Sequence, residues 1–221
     1  LGSNAMDANT TGANNVAVGR DALGANTTAD TNVAIGHSAL ASNTTGANNV
    51  AVGCGSLLNN VDDNRNTAIG HLSICGNGTI SGGCNTALGA LSLRCLTSGS
   101  SNTAIGDGAL CKNSTASSNT AIGFSSLNAN TTGSDMTAVG GNAMLTNTTG
   151  CRSVAVGNSA LEDNTTGNHN VAIGRMAMRC NTEGVYNTAV GDQALYVNTT
   201  GDSNVVVGAN ALDANLSLIH I

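Results

Sequence analysis

The stretch NTTGANNVAVG stands at residues 9–19 and returns unchanged at 43–53, with the near-copy NTTADTNVAIG between them at 26–36. Its last glycine anchors a repeat of 17 residues that runs along the chain, with a single interval of 19 that contains GNGTISGGC at 76–84. Self-similarity at a fixed short period is the signature of a repeat architecture. The anchoring glycines are Gly2, Gly19, Gly36, Gly53, Gly70, Gly89, Gly106, Gly123, Gly140, Gly157, Gly174, Gly191 and Gly208.

Each repeat begins with the pattern N-(V/T)-A-(V/I)-G, whose β-branched alternation indicates a short strand. The alternation puts Val16 and Val18 on one face of the strand and Asn15 and Ala17 on the other. A second extended segment, (A/S)-(L/M), follows with Leu23 as its apolar residue. The N-T-T-G segment then supplies turn residues that tolerate positive φ.

The repeat predicts an all-β fold, a parallel β-solenoid with one 17-residue repeat per coil and about 12–13 coils. A helix is disfavoured because Gly, Asn and β-branched residues at this density are poor helix formers. Stacked coils at about 4.8 Å place like residues over like, which gives Asn ladders and apolar columns. We expect Val16, Val18 and Leu23 and their equivalents to point into the roll. The insertion at 76–84 should bulge outward, with the register resuming at Asn85.

The composition excludes several classes of protein. Among 221 residues there are no Trp, two Tyr and one Phe, so a conventional layered core is disfavoured, and the 40% of apolar residues argue against disorder. A net charge of -6 with scattered basic residues disfavours nucleic acid, and no apolar run is long enough for a membrane span. We interpret 1–215 as one repeat domain, an internal fragment uncapped at both ends because it lacks an initiator Met. LSLIHI at 216–221 breaks every column and reads as a sequencing-adapter artefact.

A coil of 17 residues encloses few apolar side chains, so the roll is thin for a free monomer. The Ala column lies on the opposite strand face from Val16 and Val18 in this interpretation. A flat stripe of small apolar side chains is best explained by contact with another copy of the chain. We therefore expect self-association, as a homotrimer, through the column that includes Ala17, Ala34, Ala51 and Ala68.

Units such as NNVAVG, TNVAIG and RNTAIG resemble the head repeats of trimeric autotransporter adhesins, the YadA-like head. The longer unit NTAVGDQALYVNTTGDSN at 187–204 is similar to the 17-residue repeats of phage and bacterial tail-fibre-like proteins. The resemblance covers residues 1–215 and implies a left-handed parallel β-roll with three protomers around an axis. It also implies an extracellular, cell-surface or virion-surface location, and attachment to a host-surface glycan or protein. The chain departs from the adhesin heads in its period and in its seven cysteines.

We predict no catalytic, cofactor-binding or metal-binding residue, and no enzyme activity. The histidines, His37, His71, His169 and His220, have no Cys, Asp or Glu partner at ligand spacing, and no Ser/His/Asp set is discernible. The leading function is a structural or adhesive fibre segment. The alternative is an ice-binding or other surface-binding solenoid, suggested by the Thr-Thr columns. Adjacent threonines cannot both face one strand plane, however, and Asp62, Asp63 and Glu183 interrupt the column.

Three of the seven cysteines, Cys75, Cys95 and Cys111, fall five, six and five residues after successive anchoring glycines, so they should stack in neighbouring coils. The coil spacing lies within the Cα–Cα range of a disulfide. Disulfides and thiols lodged in slots of Ala or Ser size both remain open. The turns also create N-x-S/T sequons, and these stand at Asn9, Asn26, Asn43, Asn77, Asn113, Asn130, Asn147, Asn164, Asn198 and Asn215.

Overall fold

The computed structural model describes residues 2–215. Its chain divides into two compact units, one that ends at Thr115 and one that begins at Ala116. Each unit is a stack of parallel three-residue strands, one strand per repeat, and no residue in 2–215 is helical. The predicted all-β parallel solenoid with one coil per repeat is confirmed. A single repeat domain over 1–215 stays a prediction, and 216–221 lies outside the described residues.

In the first unit the strands are β1 (Val16–Val18), β2 (Val33–Ile35), β3 (Val50–Val52), β4 (Thr67–Ile69), β5 (Thr86–Leu88) and β6 (Thr103–Ile105). The second unit contains β7 (Thr120–Ile122), β8 (Thr137–Val139), β9 (Val154–Val156), β10 (Val171–Ile173), β11 (Thr188–Val190) and β13 (Val205–Val207). A shorter pair, β12 (Val197–Asn198) and β14 (Ala214–Asn215), is also parallel.

The strands pair in register, each residue with its equivalent in the next repeat. Val16 pairs with Val33 in the first unit, for example, and Val154 with Val171 in the second. The anchoring glycine ends each strand. Gly19 has φ of 134°, and a Cβ there would collide with the carbonyl of the stacked glycine of the next coil. Glycine is therefore required both for backbone conformation and for close approach.

The interior of each coil is lined by alanines or serines, by one larger aliphatic residue (Leu, Ile or Met) and by asparagines. Leu23 is fully buried, as predicted, and so is the Ala or Ser that precedes its equivalents from Leu40 to Leu195. The central strand residue also points inward, since Ala34, Ala51 and Ala68 are 0% exposed. The core of the coil is thus built around alanine and leucine rather than around the larger β-branched residues.

The predicted orientation of Val16 and Val18 is wrong, because these side chains point outward and are 46% and 41% exposed. Ile35 in the next coil is likewise exposed. The strand and the buried leucine column share one thin coil, so the inward strand position takes alanine in β1–β11 and the small Val206 in β13. Two-residue alternation separates the two faces of a strand but does not say which face is inside.

Two asparagine ladders replace much of the apolar core. In the first, the residue seven after each glycine stacks on its equivalent: Asn43 Nδ2 donates to Asn26 Oδ1 at 3.2 Å and to Gly46 O at 2.9 Å. In the second, the residue four before each glycine bonds to backbone, as Asn32 Oδ1 accepts from Asn49 N at 2.9 Å. Buried amides are tolerated because their donors and acceptors are paired. The predicted Asn ladders are confirmed.

The insertion forms the predicted outward loop without disturbing the register. Asn77, Gly78 and Thr79 are exposed, and Thr67 in β4 still pairs with Thr86 in β5 across an interval of 19 residues. Behind the loop, Ile80 is fully buried in the place of a ladder asparagine. Its equivalent in the next coil is the buried Leu96. The first ladder is therefore replaced by an apolar pair over these two coils. Both the loop and this pair belong to the first unit.

Candidate functional site

The outward side of the strands is the main candidate for an interaction surface. We define the strand face as the first and third residues of β1–β11 and β13. In the first unit it exposes Ile69 at 38% and Leu88 at 44%, and in the second Ile173 at 41% and Val207 at 72%. Among residues 2–215, every exposed large aliphatic side chain belongs to this face. The exposed aliphatic residues are Val16, Val18, Ile35, Ile69, Leu88, Ile122, Val156, Ile173, Val205 and Val207.

The strand face carries no charge, although the chain has a net charge of -6. Its residues are Val, Ile, Leu and Thr, and threonine occupies only the first strand position, as in Thr67 and Thr86. Charged side chains lie at other positions of the coil, such as Arg175 and Asp192, which are paired at 3.2 Å. A flat, uncharged row of β-branched residues is suited to packing against a surface of matching spacing.

The predicted contact surface at Ala17, Ala34, Ala51 and Ala68 is wrong in its location. Ala34, Ala51 and Ala68 are fully buried within their own chain, and Ala17 is partly buried. A residue that already packs inside the coil cannot also meet another molecule. Any contact between copies must use the exterior, and the apolar exterior is the strand face.

The Thr-Thr turns use their two hydroxyl groups differently. Thr27 Oγ1 donates to Thr44 O of the next coil at 3.1 Å, and Thr165 Oγ1 donates in the same way to Thr182 O at 3.0 Å. The first threonine of these two pairs is thus partly buried and bonded to the backbone of the next coil, while the second, such as Thr28, is exposed. Only one of the two threonine columns is available to a ligand or to ice.

A polar cleft of about 410 Å³ opens beside the insertion in the first unit. It is lined by Asn48, Asp63, Asn64, Arg65, Gly83 and Cys84. Asp63 Oδ2 is buried and has no hydrogen-bond partner among the described residues. Burial raises the pKa of the Asp63 carboxyl, the neighbouring Asp62 raises it further, and a hydrogen bond from the Gly82 backbone lowers it. A carboxylate held without a full set of donors is a destabilising feature of this cleft.

Coil stacking brings together residues that are 17 apart, which a search for local motifs does not detect. His37 Nε2 lies 2.5 Å from Arg20 Nη2 and 4.0 Å from Asp21 Oδ2, and His37 Nδ1 lies 3.6 Å from Cys54 Sγ. His71 stands one residue after its glycine, as His37 does, and is exposed. Within residues 2–215 no group of three or more His, Cys, Asp or Glu is placed to hold a metal ion. His220 lies outside the described residues.

A second stacked set lies on the second unit. The rings of His169 and Tyr186 are stacked with centroids 4.8 Å apart and planes 11° from parallel. In another column, Arg179 donates to Glu162 Oε2 at 2.6 Å and to Tyr196 Oη at 2.8 Å. Both clusters follow from the repeat, because residues at one position of successive coils become neighbours.

The cysteines Cys75, Cys95 and Cys111 are partly buried and lie in three successive coils of the first unit, as their spacing predicts. Their thiols are free in this structure. The other cysteines, Cys54, Cys84, Cys151 and Cys180, have no cysteine at the equivalent position of an adjoining coil.

No protein-family model, no curated protein and no solved structure matches this chain. The fold and the contacts above are therefore the observations on which a function can be argued. Within the described residues, no helix has the length and apolar character to cross a membrane.

Proposed function

We propose that the chain is a structural or adhesive segment of a surface fibre, a trimeric adhesin head or a tail-fibre shaft, whose copies associate through the strand face. The observation that carries the proposal is the sorting of side chains. The coil keeps alanine, asparagine and the leucine column inside, and it puts the Val, Ile and Leu residues of its strand outside, in an uncharged face. Large exposed apolar patches mark interaction surfaces.

A second copy of the chain is the occupant that fits the strand face best. The exposed residues repeat once per coil, at about 4.8 Å along the stack. A second copy repeats at the same spacing, so its side chains can interdigitate over many coils, whereas a partner of another period matches at isolated points. The absence of charge from the strand positions also means that two acidic chains can meet there without like charges in direct contact.

The count of three protomers and the role in attachment rest on the resemblance of the repeats to adhesin heads and tail-fibre repeats. A strand of three residues presents only two outward columns, so the face is a narrow strip. Narrow strips can meet around a common axis, and three strips there cover one another from solvent. Attachment to a host-surface glycan or protein, outside the cell or on a virion, follows as the function of such a fibre.

Light scattering on wild type and on two matched variants tests the proposal. Val156→Lys with Ile173→Lys places charge on the strand face, and Thr149→Lys with Thr166→Lys places the same charge in the exposed threonine column. We expect a mass of three times 21.7 kDa for wild type and the threonine variant, and one chain for the face variant. A monomeric wild type, or a face variant that keeps the parent's mass, would overturn the proposal. Binding of the trimer to a glycan array tests the adhesive part separately.

Ice binding is the second candidate, and one observation favours it. On the first unit, Thr67, Thr86 and Thr103 form a column of outward threonines beside Ile69, Leu88 and Ile105. A regular array of threonine hydroxyl and methyl groups is a surface that ordered water can match. Thermal hysteresis is measured on wild type and on a variant in which these three threonines are lysine. Hysteresis that wild type shows and the variant lacks would favour ice binding over self-association as the role of the strand face.

A further inference from the structure

Three thiols lie side by side in the first unit in a way that no other cysteines of the described chain do. The backbone hydrogen bonds fix their register. Gly76 N donates to Arg94 O at 2.8 Å, and Cys95 N donates to Cys111 O at 3.0 Å. Cys75 therefore lies level with Arg94, and Arg94 lies level with Cys111. Cys95 stands in the middle coil, one residue along from both of the other cysteines.

The spacing of the coils decides which pairs can be bridged. A diagonal step of one coil and one residue is about 6 Å between Cα atoms, within the range that a disulfide tolerates. Cys75 and Cys111 are two coils apart, roughly 10 Å, which exceeds that range. Cys95 can thus pair with either neighbour, whereas its two neighbours cannot pair with each other.

The electrostatics of the column agree with this proximity. Burial raises the pKa of the Cys75 thiol, Arg94 lowers it, and Cys95 raises it. Burial likewise raises the pKa of the Cys111 thiol, and Cys95 is the next contributor. The central thiol therefore lies close enough to both of its neighbours to affect their ionisation. All three side chains remain partly exposed, so a small oxidant can reach them.

These cysteines stand where the scaffold is interrupted. The first asparagine ladder is replaced by Ile80 and Leu96 in the two coils that carry Cys75 and Cys95. The hydrogen bonds between ladder side chains, such as Asn60 to Asn43 at 3.0 Å, have no counterpart between Ile80 and Leu96. The exposed loop at 77–79 opens from the same place. A covalent link here would join the coils on the two sides of the interruption.

We propose that Cys95 forms an intrachain disulfide with Cys75 or, in its place, with Cys111, and that this bond staples the coils beside the insertion. The oxidant is a small disulfide such as oxidised glutathione. The Cys95 thiolate attacks one sulfur of the oxidant and releases one thiolate. The Cys75 or Cys111 thiolate then attacks the Cys95 sulfur and releases the second. The protein loses two electrons and two protons, the oxidant becomes two thiols, and one of the three cysteines stays reduced.

Peptide mass spectrometry on the oxidised full chain tests the proposal. Reduced protein is treated with oxidised glutathione, alkylated, and cleaved after Arg65, Arg94 and Lys112. Cleavage places Cys75 and Cys84 on one peptide and Cys95 with Cys111 on the next, and fragment ions identify the bonded cysteine. A Cys75–Cys95 bond therefore joins two peptides, and a Cys95–Cys111 bond closes one. We expect wild type to contain both forms, Cys111→Ser only the first and Cys75→Ser only the second.

The decisive variant is Cys95→Ser, in which Cys75 and Cys111 should both remain without an intrachain partner. Circular dichroism shows whether that variant keeps its β structure, and Cys95→Ala serves if the serine variant does not fold. Wild type oxidised in urea supplies the pattern of an unfolded chain. A Cys75–Cys111 bond in the folded Cys95 variants would overturn the proposal. A folded wild type with the same disulfides as the urea sample, or with disulfides between chains only, would also overturn it. So would a sample in which Cys54 is glutathionylated, which shows that the oxidant has reacted, while Cys75, Cys95 and Cys111 are all unlinked.

Discussion

The asparagine ladder of the second unit supports a quantitative prediction at Asn164. Its Nδ2 donates to Asn147 Oδ1 at 2.7 Å and to Gly167 O at 3.0 Å, and its Oδ1 accepts from Asn181 Nδ2 at 2.9 Å. The side chain is fully buried. Asn164→Leu removes three hydrogen bonds and leaves three buried polar groups without those partners. At about 1–3 kcal/mol for each of the three groups, we expect the free energy of unfolding to fall by on the order of 3–9 kcal/mol.

The double variant should cost less than the sum of the two single variants. Asn181→Leu alone leaves Asn164 Oδ1 unpaired, and Asn164→Leu alone leaves Asn181 Nδ2 without one acceptor. When both residues are leucine, these two groups are absent together. The coupling free energy should then be about 2 kcal/mol in favour of the double variant. The chain itself uses this solution where Ile80 and Leu96 occupy adjacent coils.

Urea unfolding at one protein concentration, followed by far-ultraviolet circular dichroism, measures the four free energies of the cycle. Thr166→Leu is the matched control, because Thr166 lies in the same turn but is exposed, and we expect a change of about 0.5 kcal/mol or less. Additive single variants, or an Asn164→Leu protein as stable as the control, would refute the view that buried amide ladders hold the coils together.

Three further predictions follow from individual residues. In a host that glycosylates N-x-S/T sequons, we expect the folded chain to be modified at Asn77, because Asn77 is exposed. The ladder asparagines are buried and their Nδ2 atoms are hydrogen-bonded. Glycopeptide mass spectrometry identifies the modified site. Burial and Asp62 raise the folded-state pKa of Asp63 above 3.8, so wild type loses stability as pH rises from 3.8 through that raised pKa. Asp63→Asn should remove this loss, and urea midpoints measured against pH report it. Gly174→Ala should cost about 3 kcal/mol or more, since φ is 133° and a Cβ meets the next coil's glycine carbonyl, whereas Gly78→Ala, with open space around it, should be silent in the same assay.

The sequence predicts the coil well because the repeat fixes relative positions. Seventeen-residue spacing alone aligns Val16 with Val33, and the resumed pattern at Asn85 implies the restored pairing of Thr67 with Thr86. Burial of Leu23 also follows, because one apolar residue in a polar turn segment has few alternatives to the interior. These predictions depend on periodicity, which thirteen anchoring glycines report directly.

The sequence does not predict which strand face is inside, since that depends on the thickness of the coil. Size favours Val16 and Val18 for the core if each coil is wide, and Ala17 if it is narrow. Local sequence motifs also do not reveal the contacts between stacked coils, because these contacts join residues one repeat apart. His37 with Cys54, and His169 with Tyr186, become neighbours only when equivalent positions are compared one repeat apart. Columns at 17-residue spacing are the signal that would have found them.

The outward orientation of the large aliphatic strand residues couples folding to assembly in the proposed fibre. A coil filled with alanine, one leucine column and paired amides gains less from the hydrophobic effect than a wider core would, since the valines and isoleucines of its strand stay outside. Covering a side chain such as Val156, which is 37% exposed, gains about 1 kcal/mol, and each strand offers one such aliphatic position, or two where its first residue is Val. The gain accumulates over every stacked coil, so a partner with the same period stabilises the coils as it covers the face. Lysine at Val156 and Ile173 should therefore lower the melting temperature as well as the mass, and wild type should melt at higher temperature as its concentration rises.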